Sequence, residues 1–288
     1  MRRILVLVAV FALLACPAMV VAQTAEMHGP PKILEIVRED SKPGKAIAHR
    51  KHEAAWAQAF IKAGYPHNLT ISSVTGPDED WFMTGFDTFA QLEKVNDSFE
   101  TNPALQQAMV TFSPKEADFV SESRFIFARY RPELSYKPQF QLGEYKYFNV
   151  LVVRFKLGSG PDEVGKIVAA AREKANPDYH SIAYEVTSGM PVGTYLYFTP
   201  IKSMATWDEP PNKAYGEALK EGGFSDAVAK TVQLAEGRLF AFNPRLSYVP
   251  DEVAKANPSF WHPKMEMAKS PAKAATPAAK KEMKMEKQ

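Results

Sequence analysis

The sequence predicts an α+β protein in which two tandem copies of one unit pack together and close a barrel. The first observation is a repeat: Arg131–Tyr136 reads RPELSY and Asn243–Tyr248 reads NPRLSY, at an offset of 112 residues. The second is the hydrophobic periodicity, which runs strand, helix, strand, strand, helix, strand in each copy. The third is a globular composition, with 45% hydrophobic and 24% charged residues, which excludes a wholly disordered or collagen-like chain.

Unit one, residues 32–137, begins with an alternating strand at Lys32–Glu39. An alanine-rich helix is predicted over Lys45–Ala63, and Gly64–Pro66 ends it. Ser113–Glu116 has the pattern of a capping box with proline at the first helical position, which predicts that a short helix starts there. The other strands are predicted at Leu69–Thr75, Trp81–Phe86 and Ser123–Tyr130, the first two joined as a hairpin across Gly76–Asp80.

Unit two, residues 145–250, repeats this order after a short linker at Pro138–Gly143. Its elements are predicted from the same periodicities. They are strands at Phe148–Leu157, Ser181–Thr187, Thr194–Phe198 and Arg238–Asn243, a helix at Asp162–Ala175 and a helical stretch at Asp208–Ala235.

This order of elements is that of a ferredoxin-like unit, in which helices cover one face of a four-stranded sheet. The other face of such a sheet is apolar and needs a partner. The second copy supplies that partner, so we expect two tandem ferredoxin-like units packed as an internal pseudo-dimeric α/β barrel. The expected molecule is a monomer with an internal pseudo-two-fold axis, and further oligomerisation stays open.

Two aromatic strands that run into polar helix starts, Trp81–Phe89 and Tyr195–Ser203, give the chain a family resemblance. It resembles the dimeric α/β-barrel superfamily, which includes antibiotic-biosynthesis-monooxygenase-like and NIPSNAP-like domains, in tandem duplicated form. The resemblance implies a cavity between sheet and helices that holds a small aromatic or polyketide-like substrate, or haem. The Gly-x-x-Asp-Gly motif of dye-decolorising peroxidases is absent from the sequence, which counts against that haem-binding branch.

The N-terminus has the layout of a secretory signal peptide over residues 1–22. Arg2 and Arg3 precede the apolar run Ile4–Ala15, and small residues then offer a cleavage site before Gln23. We therefore expect a periplasmic or secreted protein. Lipoprotein anchoring at Cys16 is the alternative, although Pro17 fits that signal poorly.

Residues 251–288 are expected to form a disordered basic tail rich in Lys, Ala, Pro and Met, with no aromatic residue from 264 onward. Such a tail can contact anionic envelope polymers. Residues 4–263 carry a net charge of −4, which argues against a nucleic-acid partner because the fold itself lacks a basic surplus. The 12-residue apolar run Ile4–Ala15 is too short to span a membrane.

Cys16 is the only cysteine, so a disulfide, a cysteine nucleophile and a thiolate metal site are excluded from the folded part. The sequence also lacks the Walker loop, the Gly-x-Gly-x-x-Gly loop and the Gly-x-Ser-x-Gly elbow. These absences exclude nucleotide enzymes and serine hydrolases of those types.

The first helix contains the most concentrated set of candidate site residues. His49, His52, Glu53 and Trp56 lie on one helical face, so two imidazoles and a carboxylate can approach one point. We predict catalytic roles for His52 and Glu53, as a general base or metal-binding group, and a ligand contact for Trp56. The alternative is a partly solvated helix flank with Trp56 in the core.

His67 and His180 enter the second strand of their units at matching places. Imidazole is a suitable general base for a cofactor-free oxygenase or isomerase, which makes both candidate catalytic residues. The alternative is a surface or capping role after a turn.

Arg38 and Arg154 end the first strand of each unit, and a guanidinium there can bind a carboxylate or enolate. Trp81, Tyr195 and Tyr197 are candidate aromatic contacts to the same ligand. Snorkelling arginines and ordinary core packing are the alternatives.

These observations favour an exported small-molecule-binding barrel, with cofactor-free oxygenase or isomerase chemistry on a small apolar or aromatic compound. No cofactor and no metal site are assigned. The first alternative is a non-catalytic envelope scaffold or interaction protein, which predicts a filled barrel. The second is a haem- or copper-binding protein, in which the copper ligands would be tail thioethers. Those tail residues are Met265, Met267, Met283 and Met285, with His262 nearby.

Overall fold

The computed structural model describes residues 29–263 and confirms the α+β fold class. Unit one contains a four-stranded sheet and three α-helices. Its elements are β1 (Ile33–Ser41), α1 (Ala46–Ala63), β2 (Asn68–Ser73), β3 (Glu79–Phe86), α2 (Phe89–Thr101), α3 (Pro103–Glu116) and β4 (Val120–Tyr130).

Unit two repeats this arrangement, and two short helices follow it. Its elements are β5 (Tyr147–Phe155), α4 (Asp162–Ala175), β6 (Ile182–Ser188), β7 (Thr194–Ile201), α5 (Lys213–Glu221), α6 (Phe224–Thr231) and β8 (Val232–Phe242). The final helices are α7 (Asp251–Ala256) and α8 (Pro258–Trp261).

The eight strands form one closed antiparallel barrel in the order β1-β3-β2-β8-β5-β7-β6-β4. Each unit keeps the ferredoxin-like strand order, and the pairs β2–β8 and β4–β6 join the units. The barrel therefore has the internal pseudo-dimeric arrangement that the duplication predicts.

The barrel interior is packed with apolar side chains from both units. The Trp81 ring centroid lies 5.0 Å from that of Phe240 and 6.4 Å from that of Phe198, and Ile36 and Ile126 are fully buried beside them. The barrel is thus filled, as the scaffold alternative predicts, and the space for a ligand lies outside it, under the helices.

The prediction of a helix start at Ser113–Glu116 is wrong, because α3 ends there and Pro114 lies in its last turn. The helix starts are capped elsewhere. Thr88 and Gln91 form a capping box at α2, and Asn102 caps α3 with Pro103 at the first helical position. Pro114 has no N–H to donate to the preceding turn, and α3 ends two residues later.

The helical stretch predicted over Asp208–Ala235 is divided by Gly222 and Gly223 into α5 and α6, and its last residues belong to β8. Gly223 has a φ of +74°, which favours glycine and ends α5. Residues 232–235 pair with β5, so sheet pairing prevails over helix propensity in this segment.

The prediction of a disordered tail from residue 251 is wrong for residues 251–263, which fold onto the barrel as α7 and α8. Ala254 and Trp261 are buried in the barrel core cluster, and the indole Nε1–H of Trp261 donates to the carbonyl of Gly143 at 3.1 Å. A Cβ at Gly143 would lie 2.0 Å from the Val253 carbonyl oxygen, so this close contact requires glycine. The predicted disorder of 264–288 lies outside the described residues.

Within residues 29–263, none of the helices combines the length and hydrophobicity needed to cross a membrane. The signal peptide predicted over residues 1–22 and the alternative anchor at Cys16 lie outside the described part of the chain.

Candidate functional site

Unit one contains a cavity of about 590 Å³ between the outer face of its sheet and the helices α1 and α3. This volume is in the range of sites for small organic ligands. Aromatic rings form much of its wall. They are Trp56, Phe60, Tyr65, Phe82, Phe99, Phe125, Phe127 and Tyr248.

The alternation of β1 explains why carboxylates enter this apolar space. Leu34 and Ile36 point into the barrel core, so Glu35, Val37 and Glu39 point outward under the helices. Both glutamates are buried, at 5% and 9% exposure. Glu53 from α1 and Glu116 from the end of α3 complete an acidic set on the cavity wall.

His49, on the first turns of α1, is fully buried at the centre of this acidic set. Its Nε2 lies 2.9 Å from Oε2 of Glu39, 3.4 Å from Oε1 of Glu116 and 3.8 Å from Oε1 of Glu53. On the other side of the ring, Nδ1 lies 3.3 Å from Oδ2 of Asp80. We call His49, Glu39, Glu53 and Glu116 the His49 cluster.

Three further contacts fix the side chains around the His49 cluster. The indole Nε1–H of Trp56 donates to Oε2 of Glu116 at 3.3 Å, and Nε2 of His52 lies 3.3 Å from the same oxygen. The guanidinium Nε–H of Arg50 donates to Oδ1 of Asp80 at 3.0 Å. These contacts come from α1, so one helix positions the carboxylates of two other elements.

The protonation of the cluster is coupled to its burial. Burial disfavours the charged imidazole, but the neighbouring carboxylates of Asp80, Glu116 and Glu39 outweigh it and raise the pKa of His49 to about 11. Burial and the charges of Glu39 and Glu116 raise the pKa of Glu53 to about 10. Without another bound cation, a protonated imidazole therefore faces a neutral Glu53 at pH 7.

Glu35 lies on the same strand face as Glu39 but is perturbed for a different reason. Burial raises the pKa of its carboxyl to about 7. A group with this pKa exchanges a proton readily near neutral pH, which is the property of an effective general base.

The lining residues do not fit a haem. A haem has anionic propionates that need basic partners, whereas the described wall of the cavity contains four glutamates and no lysine, arginine or histidine. The tail methionines proposed as copper ligands lie outside the described residues.

Among the predicted catalytic residues, Glu53 lines the cavity and His52 lies behind its wall, 3.3 Å from Oε2 of Glu116, whereas the other two histidines lie elsewhere. Nδ1 of His67 lies 3.0 Å from the carbonyl oxygen of Tyr248, and Nδ1 of His180 lies 2.6 Å from that of Lys137. Each contact ties the start of a second strand to the end of the opposite unit. These two symmetric contacts agree with the alternative of a surface or capping role for both histidines.

The two predicted arginines lie on the barrel side of their strands, away from the cavity. Nε of Arg38 lies 2.5 Å from Oε2 of the fully buried Glu79, which also contacts Arg238. Nε of Arg154 is buried without a hydrogen-bond partner among the described residues. The structure therefore does not bring Arg38 and Arg154 to one ligand.

The predicted aromatic contacts are divided among three environments. Trp56 lines the unit-one cavity, whereas Trp81 is part of the barrel core. Tyr195 and Tyr197 pack in unit two, where the Tyr195 ring centroid lies 5.4 Å from that of Phe155.

Glu35, Glu39, Asp80 and Glu116 are the site residues that the sequence reasoning missed. A signal was present for two of them, because Glu35 and Glu39 lie on the strand face opposite to the apolar residues Leu34 and Ile36. Glu116 was interpreted as part of a capping box, and Asp80 as part of a turn.

Comparisons with known proteins give similarity to solved structures only. No protein-family model and no curated protein matches the chain. A putative monooxygenase from Lactobacillus acidophilus NCFM is similar at 10% identity and a TM-score of 0.45, over 73% of this chain and 93% of that one. An anthrone oxidase-like protein is similar at 11% identity and a TM-score of 0.44, over 74% of this chain and 92% of that one.

A putative chlorite dismutase gives 12% identity and a TM-score of 0.43, over 78% of this chain and 99% of that one. At this level, the similarities carry no argument about activity.

Proposed function

We propose that the protein binds a small apolar or aromatic compound in the unit-one cavity and transfers a proton from it to Glu35, as an isomerase or a cofactor-free oxygenase does. The observation that carries this proposal is a buried carboxyl with a pKa near neutrality in a cavity walled by aromatic rings. The resemblance of the sequence to antibiotic-biosynthesis-monooxygenase-like and NIPSNAP-like domains agrees with this use of the space under the helices.

The proton-transfer step needs a ligand with an acidic C–H bond. This bond breaks, the proton moves to a carboxylate oxygen of Glu35, and the electron pair stays on the ligand as an enolate. Return of the proton to a different carbon completes an isomerisation. Reaction of the enolate with molecular oxygen, as co-substrate, gives an oxygenase instead.

Export to the periplasm or beyond is part of this proposal, since it rests on the sequence pattern of residues 1–22. The non-catalytic scaffold remains the alternative because the barrel interior itself is filled.

Proton exchange on a model compound tests the proposal. 2-Indanone is a small aromatic ketone with acidic CH₂ groups, and its exchange with D₂O can be followed by NMR. We expect the wild-type protein to accelerate exchange, and Glu35→Gln to lower the protein-catalysed rate by about 100-fold or more. Glu173→Gln, at an exposed glutamate of α4 in unit two, is the matched control and should exchange like wild type.

Binding separates the ligand site from the chemistry. Fluorescence titration with 1-naphthol should give a Kd between about 1 μM and 1 mM, and Ala57→Phe, which fills the cavity, should abolish it. If 1-naphthol does not bind to the folded wild-type protein, the scaffold alternative replaces this proposal. If it binds but Glu35→Gln retains full exchange activity, Glu35 is not the base.

A further inference from the structure

We propose that unit one binds a divalent transition-metal ion on the His49 cluster, with the imidazole of His49 and one carboxylate oxygen from each of three glutamates as ligands. Metal binding by the His49 cluster would be a second function of unit one, and it does not depend on the proton-transfer proposal. Glu35 is not among its ligands.

The distances within the His49 cluster fit one ion. The four ligand atoms lie within 4.8 Å of one another, and Nε2 of His49 lies 2.9, 3.4 and 3.8 Å from the three carboxylate oxygens. Around an ion with bonds of about 2.1 Å, adjacent ligand atoms are roughly 3.0 to 3.4 Å apart and opposite ones about 4.2 Å. Small side-chain movements are therefore enough to enclose an ion.

Unsatisfied oxygen atoms are an independent sign of a missing ligand. Oε1 of Glu53 and Oε1 of Glu116 are both buried and have no hydrogen-bond partner among the described residues. Glu53 is only 8% exposed, and this oxygen, Oε1, lies 3.8 Å from Nε2 of His49. Buried carboxyl oxygens without partners are costly, and a cation that replaces the protons of the cluster would bind both.

Residues around the His49 cluster orient its side chains, as the residues that hydrogen-bond to metal ligands do in metalloproteins. Asp80 lies on the Nδ1 side of His49, so the opposite nitrogen, Nε2, faces the carboxylates. Trp56 donates to Oε2 of Glu116, and the other oxygen, Oε1, is directed at His49. Nε2 of His49 and Oε2 of Glu39 contact each other at 2.9 Å, and the ligand oxygens of Glu53 and Glu116 have no hydrogen-bond partner among the described residues.

The ligand set selects the class of ion. Three carboxylate oxygens favour a hard or borderline cation, and the imidazole favours a transition metal over Ca²⁺ or Mg²⁺. Mn²⁺, Fe²⁺ and Zn²⁺ meet both conditions. Because the three glutamates also line the cavity, the bound ion would face the space under the helices.

Metal titration of the full mature chain, purified without a histidine tag, tests this proposal. We expect Zn²⁺ to bind one-to-one in calorimetry with a Kd below about 10 μM, and Mn²⁺ to lose its free-ion EPR signal stoichiometrically. Glu53→Gln and Glu39→Gln, each checked for folding by circular dichroism, should weaken binding about 10- to 100-fold or more. His67→Asn removes an exposed histidine outside the cluster and is the control that should bind like wild type.

A measurement on the unaltered protein covers the case in which these variants do not fold. Mn²⁺ broadens NMR signals of nearby nuclei, so the indole N–H signal of Trp56, which donates to Glu116, should disappear before that of Trp261, which donates to Gly143. Equal broadening of both signals, no saturable binding, or wild-type affinity in folded Glu53→Gln and Glu39→Gln would each overturn the proposal.

Discussion

The two units share a topology but use the space between sheet and helices differently. In unit one, Glu39 is paired in register with Asp80, and both approach the buried His49. In unit two, the residue at the end of the first strand is Phe155, whose N–H donates to the carbonyl of Gly193 and whose ring packs on Tyr195. One copy therefore has buried carboxyl groups beside a cavity at the position where the other has an apolar cluster.

This difference shows how a duplicated fold can separate stability from chemistry. The apolar cluster of unit two, with Val153, Phe155, Ala183 and Tyr195, gains free energy from burial. Unit one buries carboxylates and leaves a cavity, both of which lower stability. The closed barrel joins the units, so the packing of one can offset the lower stability of the other.

The largest expected effect on stability comes from making a cavity in the packed cluster of unit two. Phe155→Ala should reduce the free energy of unfolding by about 4 kcal/mol, because it leaves a cavity in a packed cluster. Phe82→Ala, which enlarges a cavity that already exists in unit one, should cost less than about 2 kcal/mol. Urea denaturation measures both, and equal losses would contradict the contrast between the units.

Removal of the central histidine should cost slightly less. His49→Leu leaves buried carboxylates without their positive partner, and we expect a loss of about 3 kcal/mol in metal-free protein at pH 7. His180→Leu, in unit two, removes a contact to one backbone carbonyl and should cost about 1 kcal/mol. A His49 variant as stable as wild type would show that the carboxylates are compensated in another way.

Glu35 should make the stability of unit one depend on pH. Burial raises the pKa of Glu35 from 4.5 to about 7, so the native state binds this proton more tightly than the unfolded state. Stability is therefore unaffected below about pH 4.5, falls as the pH rises towards 7, and remains lower above it, by at most about 3 kcal/mol.

Glu35→Gln checks this prediction. The variant should be more stable than wild type at pH 8 and similar at pH 4.5, and the difference between the two pH values is the quantity measured. A difference that does not change with pH would place the Glu35 carboxyl in a more solvated environment than the 5% exposure indicates.

The smallest effect sharpens the comparison at matched helix positions. Ala57 of α1 lines the cavity, whereas Ala171 of α4 is buried at 2% exposure in unit two. Ala57→Phe should change the unfolding free energy by less than about 1 kcal/mol, and Ala171→Phe should cost about 2 kcal/mol through overpacking. Thermal unfolding of the two variants distinguishes a cavity from a filled space. A larger loss of stability for Ala57→Phe than for Ala171→Phe would show that the space beside Ala57 is filled.

Local periodicity predicted much of this fold. The bounds of α4, Asp162–Ala175, agree with the prediction because acidic residues open the helix and Asn176 ends it in the left-handed conformation. The duplication predicted the barrel, since each sheet needs a cover for its apolar face. The prediction at Ser113–Glu116 failed because this pattern, typical of a helix start, lies here at a helix end. The prediction at residues 232–235 failed because pairing with β5 decided the structure of this segment.

The site was harder to predict because its residues are distant in the sequence. His49, His52 and Glu53 share one helix, so helical spacing alone groups them. Glu116 reaches them from the end of α3, a contact that depends on how α1 and α3 pack and not on any local pattern. The strand face of Glu35 and Glu39 follows from the register, which the sequence left open to a shift of one residue.

The two seams that join the units have unequal lengths. Strand β2 pairs with β8 over three residues, Ile71–Ser73, whereas β4 pairs with β6 over four. The short seam adjoins Tyr248, whose backbone bridges to Asn68 and whose ring lines the cavity. We therefore expect brief separation of the barrel wall to begin beside the ligand space, and native-state hydrogen exchange should release the amide protons of this seam first from the sheet.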